Sequence, residues 1–187
     1  HDAIKRIGAG PQGPASDIFS AASISVKLSA LHPRSSWTQH DRVMSELVPR
    51  IVELAAHAKA SGIALTIDAE EADRLAITLA VFEQLYKDKS FSDWEGLGIV
   101  VQAYQKRALP VINWLEALAS KHRRRIFVRL VKGAYWDTEI KRAQILGFAD
   151  YPVFTRKPST DLSYLACVQK LFANRDAFYP QFATHNA

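Results

Sequence analysis

The stretch IFVRLVKGAYWD, residues 126–137, constrains the fold of this chain more than any other. Its first half is apolar and β-branched enough to be a strand buried on both faces, as in a parallel sheet. It nevertheless carries Arg129, with Lys132 just beyond. A buried charge is costly without a partner, so these cations must meet something where the strand ends. Gly133 lets the backbone turn or approach a ligand closely, and Asp137 stands where it would cap a helix running through Glu139, Ile140 and Ala143. Strand, polar tip, glycine turn and capped helix make half of a βα unit. Ligands in α/β proteins sit at the carboxyl ends of parallel strands, which puts Arg129, Lys132, Tyr135 and Trp136 at a candidate site.

The same unit recurs along the chain. Residues 2–7 read as the tail of a helix, ended by the loop GAGPQGP at residues 8–14, which is too rich in Gly and Pro to continue it. In SISVKLSALHPR, Ile24, Val26 and Leu28 alternate with Ser25 and Lys27, predicting a strand that ends near Lys27 and stops before Pro33. From Asp41 the spacing of Val43, Met44, Leu47, Ile51, Leu54, Ala55 and Ala58 predicts a helix closed by Gly62, with Pro49 arguing for a kink or a break. Residues 63–67 predict a second strand with Asp68 at its tip. Glu70, Glu71 and Asp73 then read as acids of a first helical turn. Residues 97–101 predict a third strand tipped by Gln102, followed by a helix from Pro110. After residues 126–131 come a connection over residues 147–157, a helix over residues 159–173, and a last strand at Phe182 and Ala183 with Thr184, His185 and Asn186 as its tip.

About five strands alternating with helices, each ending in a polar or charged residue, point to an α/β fold of the (β/α)8 TIM type. Such a barrel needs about 250 residues and eight strands, so 187 residues are expected to be an incomplete portion of about five βα units, with residues 1–22 preceding it and the last strands and final helix missing. A doubly wound open sheet is the alternative. It would need a switch in strand order, and no GxGxxG or GxxxxGK[ST] follows any strand.

Composition narrows the chemistry. One cysteine, Cys167, excludes an internal disulfide and a cysteine-based metal cluster, and a buried inert thiol is expected there. No apolar run reaches the length of a membrane span and no secretory signal is present, which reads as a cytosolic or organellar chain. The net charge of +5 suggests nucleic acid only weakly, because the basic run at residues 123–125 has no interleaved aromatics and reads as solvated surface. No HExxH, GxSxG or EF-hand loop occurs, and no metal site is expected. The strand tips instead gather cations (Lys27, Arg129, Lys132), an acid (Asp68), an amide (Gln102) and aromatics (Tyr135, Trp136). That set suits an anionic, partly aromatic cofactor and a small charged substrate. Lys27 and Asp68, single charges at adjacent tips, have a plainer reading as an ion pair that holds the mouth together.

Taken together, SISVKLSALHPR, LTIDAEEADRL, GIVVQAYQKRA, RLVKGAYWDTEIKRAQ, TRK and QFATHNA resemble the proline dehydrogenase domain of the bacterial bifunctional proline utilization A family. The resemblance implies a barrel that binds FAD noncovalently and oxidises L-proline to 1-pyrroline-5-carboxylate by hydride transfer to flavin N5. It gives Arg129 the role of stabilising negative charge on the reduced flavin, and Asp68 that of an acid close to the substrate. Lys27 would meet the substrate carboxylate, and Tyr135 would form a wall over the proline ring. Gln102 and the backbone near Ile67 would face the isoalloxazine. Val131, Lys132 and Gly133 would line the cofactor chain, Trp136 the adenosine side, and Thr184 and His185 the ribityl or phosphate region. A quinone or other electron acceptor, a covalently linked aldehyde dehydrogenase domain, and a cytoplasmic location with peripheral membrane contact are implied as well. The family's last helix carries an arginine pair on the proline carboxylate and its first strand a further acid, and no segment here matches either. Two other classes stay open: a different barrel enzyme, such as a flavin-dependent reductase or a Schiff-base aldolase using Lys27 or Lys132, and a non-catalytic fragment.

Overall fold

The structure, a computed structural model, describes residues 2–9 and 17–184. Helix α1 (Asp2–Gly8) comes first, then β1 (Ser23–Val26), the single turn α2 (Leu28–Leu31), α3 (His40–Ala60), β2 (Ala64–Ile67), α4 (Leu75–Lys87), β3 (Leu97–Gln102) and α5 (Ala108–His122). Strand β4 (Ile126–Val131), helices α6 (Trp136–Ile145) and α7 (Lys157–Ala173), and β5 (Phe178–Phe182) complete it. All neighbouring strands pair in parallel and the sheet order is β1-β2-β3-β4-β5. A doubly wound sheet reverses its strand order at a switch point; this one does not, so it is an arc of a TIM-type barrel.

The alternation of side chains across the strands sorts two faces. Leu65, Ile67, Ile99, Val101, Ile126, Val128 and Leu130 enter the core shared with the helices, where α3 contributes Val43, Leu47, Ile51, Ala55 and Ala58. The other face carries Ser25, Thr66, Phe127 and Arg129. It is tight in the middle, since a Cβ on Gly98 would stand 2.7 Å from Thr66 Oγ1 and 2.8 Å from Phe127 Cβ. The carboxyl ends of the strands therefore open onto one mouth, lined from below by small and aromatic residues.

Several local expectations need correcting. Leu28 belongs to helix α2, so the strand stops at Val26 and Lys27 leads out of it. Helix α3 runs unbroken through Pro49, which lies on its exposed face. Glu70 and Glu71 precede their helix; a 3-10 turn over Ala72–Arg74 intervenes before α4. Asp137 lies inside the first turn of α6, the cap position being Tyr135, with no side-chain cap bond. Helix α7 begins at Lys157, and β5 begins at Phe178 and includes Pro180. Arg124, expected on a solvated surface, is 5% exposed. Its guanidinium donates to the Phe91 and Tyr86 carbonyls and stacks on the Tyr86 ring at 3.8 Å. Cys167 is buried, and burial pushes its thiol above the ordinary range, as an inert thiol requires. No helix among the described residues is long and apolar enough to cross a membrane, and no group of metal-ligating side chains occurs among them.

Candidate active site

The tips of β1, β2 and β4 bring three charged side chains together. Arg129 donates to the Ser25 hydroxyl at 2.7 Å and lies 3.6 Å from the Asp68 carboxylate. Asp68 also accepts the Ala69 N–H at 3.0 Å, which fixes its orientation. Lys27 does not pair with Asp68, as the plainer reading had it. Its ammonium donates to the Tyr135 phenol oxygen at 3.1 Å and stands 5.7 Å from the centre of that ring. That hydrogen bond, followed by the electrostatic effect of the same phenol, raises the Lys27 pKa above its ordinary value.

Beneath these groups a web of hydrogen bonds ties the loops together. The Glu70 carboxylate accepts the Ser29 N–H at 3.0 Å, and the Glu70 carbonyl accepts from the Gln102 amide at 2.8 Å. The Gln102 amide oxygen in turn accepts the Ala134 N–H at 3.1 Å. Gln102 is 4% exposed and thus spans the loops after β2 and β4. Tyr104, buried just past β3, holds the turn at residues 132–135: its N–H donates to the Lys132 carbonyl at 2.7 Å and its hydroxyl accepts the Tyr135 N–H at 3.3 Å. Gly133 has φ +141°, and a Cβ there would clash with the Tyr104 ring, 2.4 Å from its Cγ. On α6, Glu139 is 3% exposed and accepts the Ala72 N–H at 2.5 Å, while Arg107 donates to the Ala72 carbonyl at 2.6 Å. Burial raises the Glu139 carboxyl pKa.

A second concavity of about 220 Å³ opens beside the turn, between α6 and the start of α7. Lys132, Gly133, Trp136, Lys157 and Asp161 line it. Trp136 is half-exposed, with its indole N–H on the Phe154 carbonyl at 2.9 Å. Lys132 and Lys157 both reach the Asp161 carboxylate, at 2.7 and 2.6 Å.

The expected site residues therefore fall in two adjoining places. Lys27, Asp68, Arg129 and Tyr135 share the mouth, and Lys132, Gly133 and Trp136 share the concavity. Val131 lies between them at the end of β4, its carbonyl accepting the Ala103 N–H at 2.8 Å. The Ile67 side chain is buried in the helix-side core, so only its backbone is available to a ligand. Thr184 is exposed just beyond β5, and His185 lies outside the described residues. Glu70, Tyr104, Glu139, Lys157 and Asp161 are additions from the structure. Glu70 reads in the sequence as an acid of a first helical turn, and only its distant partners, the Ser29 N–H and the Gln102 amide, reveal its role.

The mouth offers fixed cations, an acid and a phenol to a small charged molecule, and the concavity offers two ammoniums and an indole to an anionic aromatic one. Comparison with known proteins points the same way. The family described as proline dehydrogenase matches residues 1–187. The bifunctional protein PutA of Salmonella typhimurium is 56% identical over 185 residues, and that of Escherichia coli K12 is 54% identical, each match covering 99% of this chain. The chain spans 14% of the length of these curated relatives. A crystal structure of bifunctional proline utilization A superposes with a TM-score of 0.94 at 53% identity, covering 99% of this chain and 19% of that one. The protein from Bdellovibrio bacteriovorus inactivated by N-propargylglycine superposes with a TM-score of 0.83 at 33% identity, covering 87% and 17%. An arc of parallel strands with these tips, matched from end to end by the family's own pattern, belongs to the proline dehydrogenase family.

Proposed function

We propose that the chain supplies the flavin- and substrate-facing arc of an FAD-dependent proline dehydrogenase, which oxidises L-proline to 1-pyrroline-5-carboxylate in the first step of proline catabolism. The observation that carries this reading is Arg129, a guanidinium held by Ser25 and Asp68 at the mouth of a parallel sheet that also carries the Lys27–Tyr135 pair. The donor set fits FAD: two ammoniums beside a half-exposed indole suit a diphosphate next to an adenine, and the mouth alongside suits the ring system. FAD, when bound, supplies the hydride acceptor at N5 for the hydrogen leaving C5 of proline.

The residues of the chain do the rest. Arg129 presents a fixed positive charge where negative charge develops, with no reorganisation needed at the moment of reaction. Lys27 meets the substrate carboxylate, and Tyr135 covers the ring. Asp68 places the substrate amine and takes part in its deprotonation. Gln102 and the Ile67 backbone border the isoalloxazine, Val131, Lys132 and Gly133 the cofactor chain, Trp136 the adenosine, and Thr184 and His185 the ribityl or phosphate region. The Schiff-base reading loses ground because such a lysine must be neutral at working pH, whereas Lys27 has a raised pKa and Lys132 is ion-paired.

Five sequential strands among the described residues, against the eight of a full barrel, support reading the chain as part of a longer proline dehydrogenase barrel. The greater length of the bifunctional relatives supports further linked domains; the family resemblance implies that one of them is an aldehyde dehydrogenase, that a quinone or similar compound accepts the electrons, and that the location is cytoplasmic with peripheral membrane contact. Purified full-length protein is expected to be yellow and to reduce a dye or quinone on addition of L-proline. Colourless protein that stays inactive after FAD is added overturns the reading.

A further inference from the structure

Asp161 has no part in the reading above, yet it occupies the most cationic point of the concavity. One of its carboxylate oxygens lies 2.7 Å from Lys132 and the other 2.6 Å from Lys157. The two lysines come from separate elements, Lys132 from the tip of β4 and Lys157 from the first residue of α7. Both line the same concavity as Gly133 and Trp136. A single anion bridging two ammoniums with two oxygens uses the donors that a diphosphate would use. The ion pairs are partly exposed and therefore weak, so a more highly charged group can displace the carboxylate. Once displaced, Asp161 remains tethered one turn into α7 and repels the group that replaced it.

We propose that Asp161 is an internal placeholder for an anionic diphosphate: it holds Lys132 and Lys157 together while the concavity is empty and weakens the binding of the diphosphate that takes its place. The inference rests on the cofactor reading of this concavity. It makes Asp161 a brake on cofactor affinity, against the alternative that it orients the two lysines for the ligand.

The test uses full-length apoprotein with FAD and ADP as anionic probes and riboflavin, which has no phosphate, as the neutral control. Removing one negative charge several ångströms from a diphosphate in a solvated concavity is expected to tighten FAD and ADP binding about three- to tenfold in Asp161→Asn and in Asp161→Ser, with the gain shrinking as salt rises. Riboflavin affinity is expected to stay unchanged, which reports an intact flavin site, and Asp161→Glu to behave as wild type. FAD and ADP binding that is equal or weaker in both uncharged variants overturns the placeholder and makes Asp161 an orienting group. A shift of the same size for riboflavin overturns it as well. If wild-type protein binds riboflavin and FAD not at all, the flavin reading itself falls, an outcome distinct from a wrong sign at Asp161.

Discussion

The guanidinium of Arg129 lies 3.6 Å from the carboxylate of Asp68, so the acid at the tip of β2 faces the cation of β4, while Lys27 bonds to Tyr135. The two side chains are 29% and 31% exposed, and partly solvated pairs of this kind contribute little to stability. Arg129→Met is therefore expected to leave the melting temperature nearly unchanged while slowing flavin reduction by proline about a hundred- to a thousand-fold, the usual cost of one lost donor to developing charge. Rapid-mixing measurement of flavin bleaching, alongside a thermal melt, checks both. If reduction stays fast and only FAD affinity drops, Arg129 anchors the cofactor and has no catalytic part.

Lys27 and Tyr135 predict a different kinetic signature. Lys27→Met removes the charge facing the substrate carboxylate, so the KM for proline should rise while binding of an uncharged ring analogue is spared. Tyr135→Phe removes the oxygen that raises the Lys27 pKa but keeps the ring. The sign of the pH effect follows from that raised value. The favourable contribution of the charged lysine is fully present below its ordinary value of 10.5 and is lost only as pH rises through the higher folded value. Lys27 thus contributes no pH dependence to the proline KM between pH 7 and about 9 in the native protein. A KM that climbs across that range in step with lysine deprotonation contradicts this pairing.

How much of this was legible beforehand differs by element. The strands at residues 63–67, 97–101 and 126–131 and the long helix α3 follow from period and composition alone, because burial on both faces of a parallel sheet leaves a continuous apolar run and a core-facing helix leaves a stripe. β5 was less legible, because Tyr179 and Pro180 break its apolar pattern. The polar residues at the strand tips could be named, since each follows its strand directly, but their partners could not. Lys27 and Tyr135 are 108 positions apart, and Gln102 joins Glu70 to Ala134 across two loops. Arg124 looked solvated for the same reason, as only the fold brings the Phe91 and Tyr86 carbonyls to it.

Glu139 gives a prediction about stability. Its carboxylate is buried on α6 and its pKa is raised chiefly by desolvation, so the folded state holds the proton more tightly than the unfolded chain. With the folded value above the ordinary 4.5, the protein loses stability as pH rises from about that value through the folded one, and the deficit is constant above it. Glu139→Gln keeps an oxygen to accept the Ala72 N–H and removes the buried charge. The variant is expected to melt higher than wild type at pH 7 to 8, with the difference vanishing below about pH 4. A variant that melts lower at neutral pH would show that the charged form is what the Ala72 N–H requires.

Gly133 and Tyr104 test the turn that carries Lys132, Tyr135 and Trp136. At φ +141° only glycine is comfortable, and the space a side chain would need is filled by the Tyr104 ring. Gly133→Ala therefore meets backbone strain and a steric clash together, and must push Tyr104 or the turn aside. Such strain typically costs about 1–3 kcal/mol. Because Lys132 and Trp136 flank the displaced backbone, FAD affinity is expected to fall along with stability. Tyr104→Phe separates the two effects: the ring still packs under Gly133, and only the acceptor for the Tyr135 N–H is lost. That bond is long at 3.3 Å, so a loss of about 1 kcal/mol or less in stability is expected. The kinetic consequence should appear in the proline KM, through a loosened Tyr135, and not in FAD affinity, because the Lys132 carbonyl keeps its bond from the residue 104 N–H. Titrating FAD into both apoproteins and measuring proline KM on the reconstituted enzymes decides it. If Tyr104→Phe loses FAD as readily as Gly133→Ala does, the hydroxyl and not the ring is what holds the turn in place.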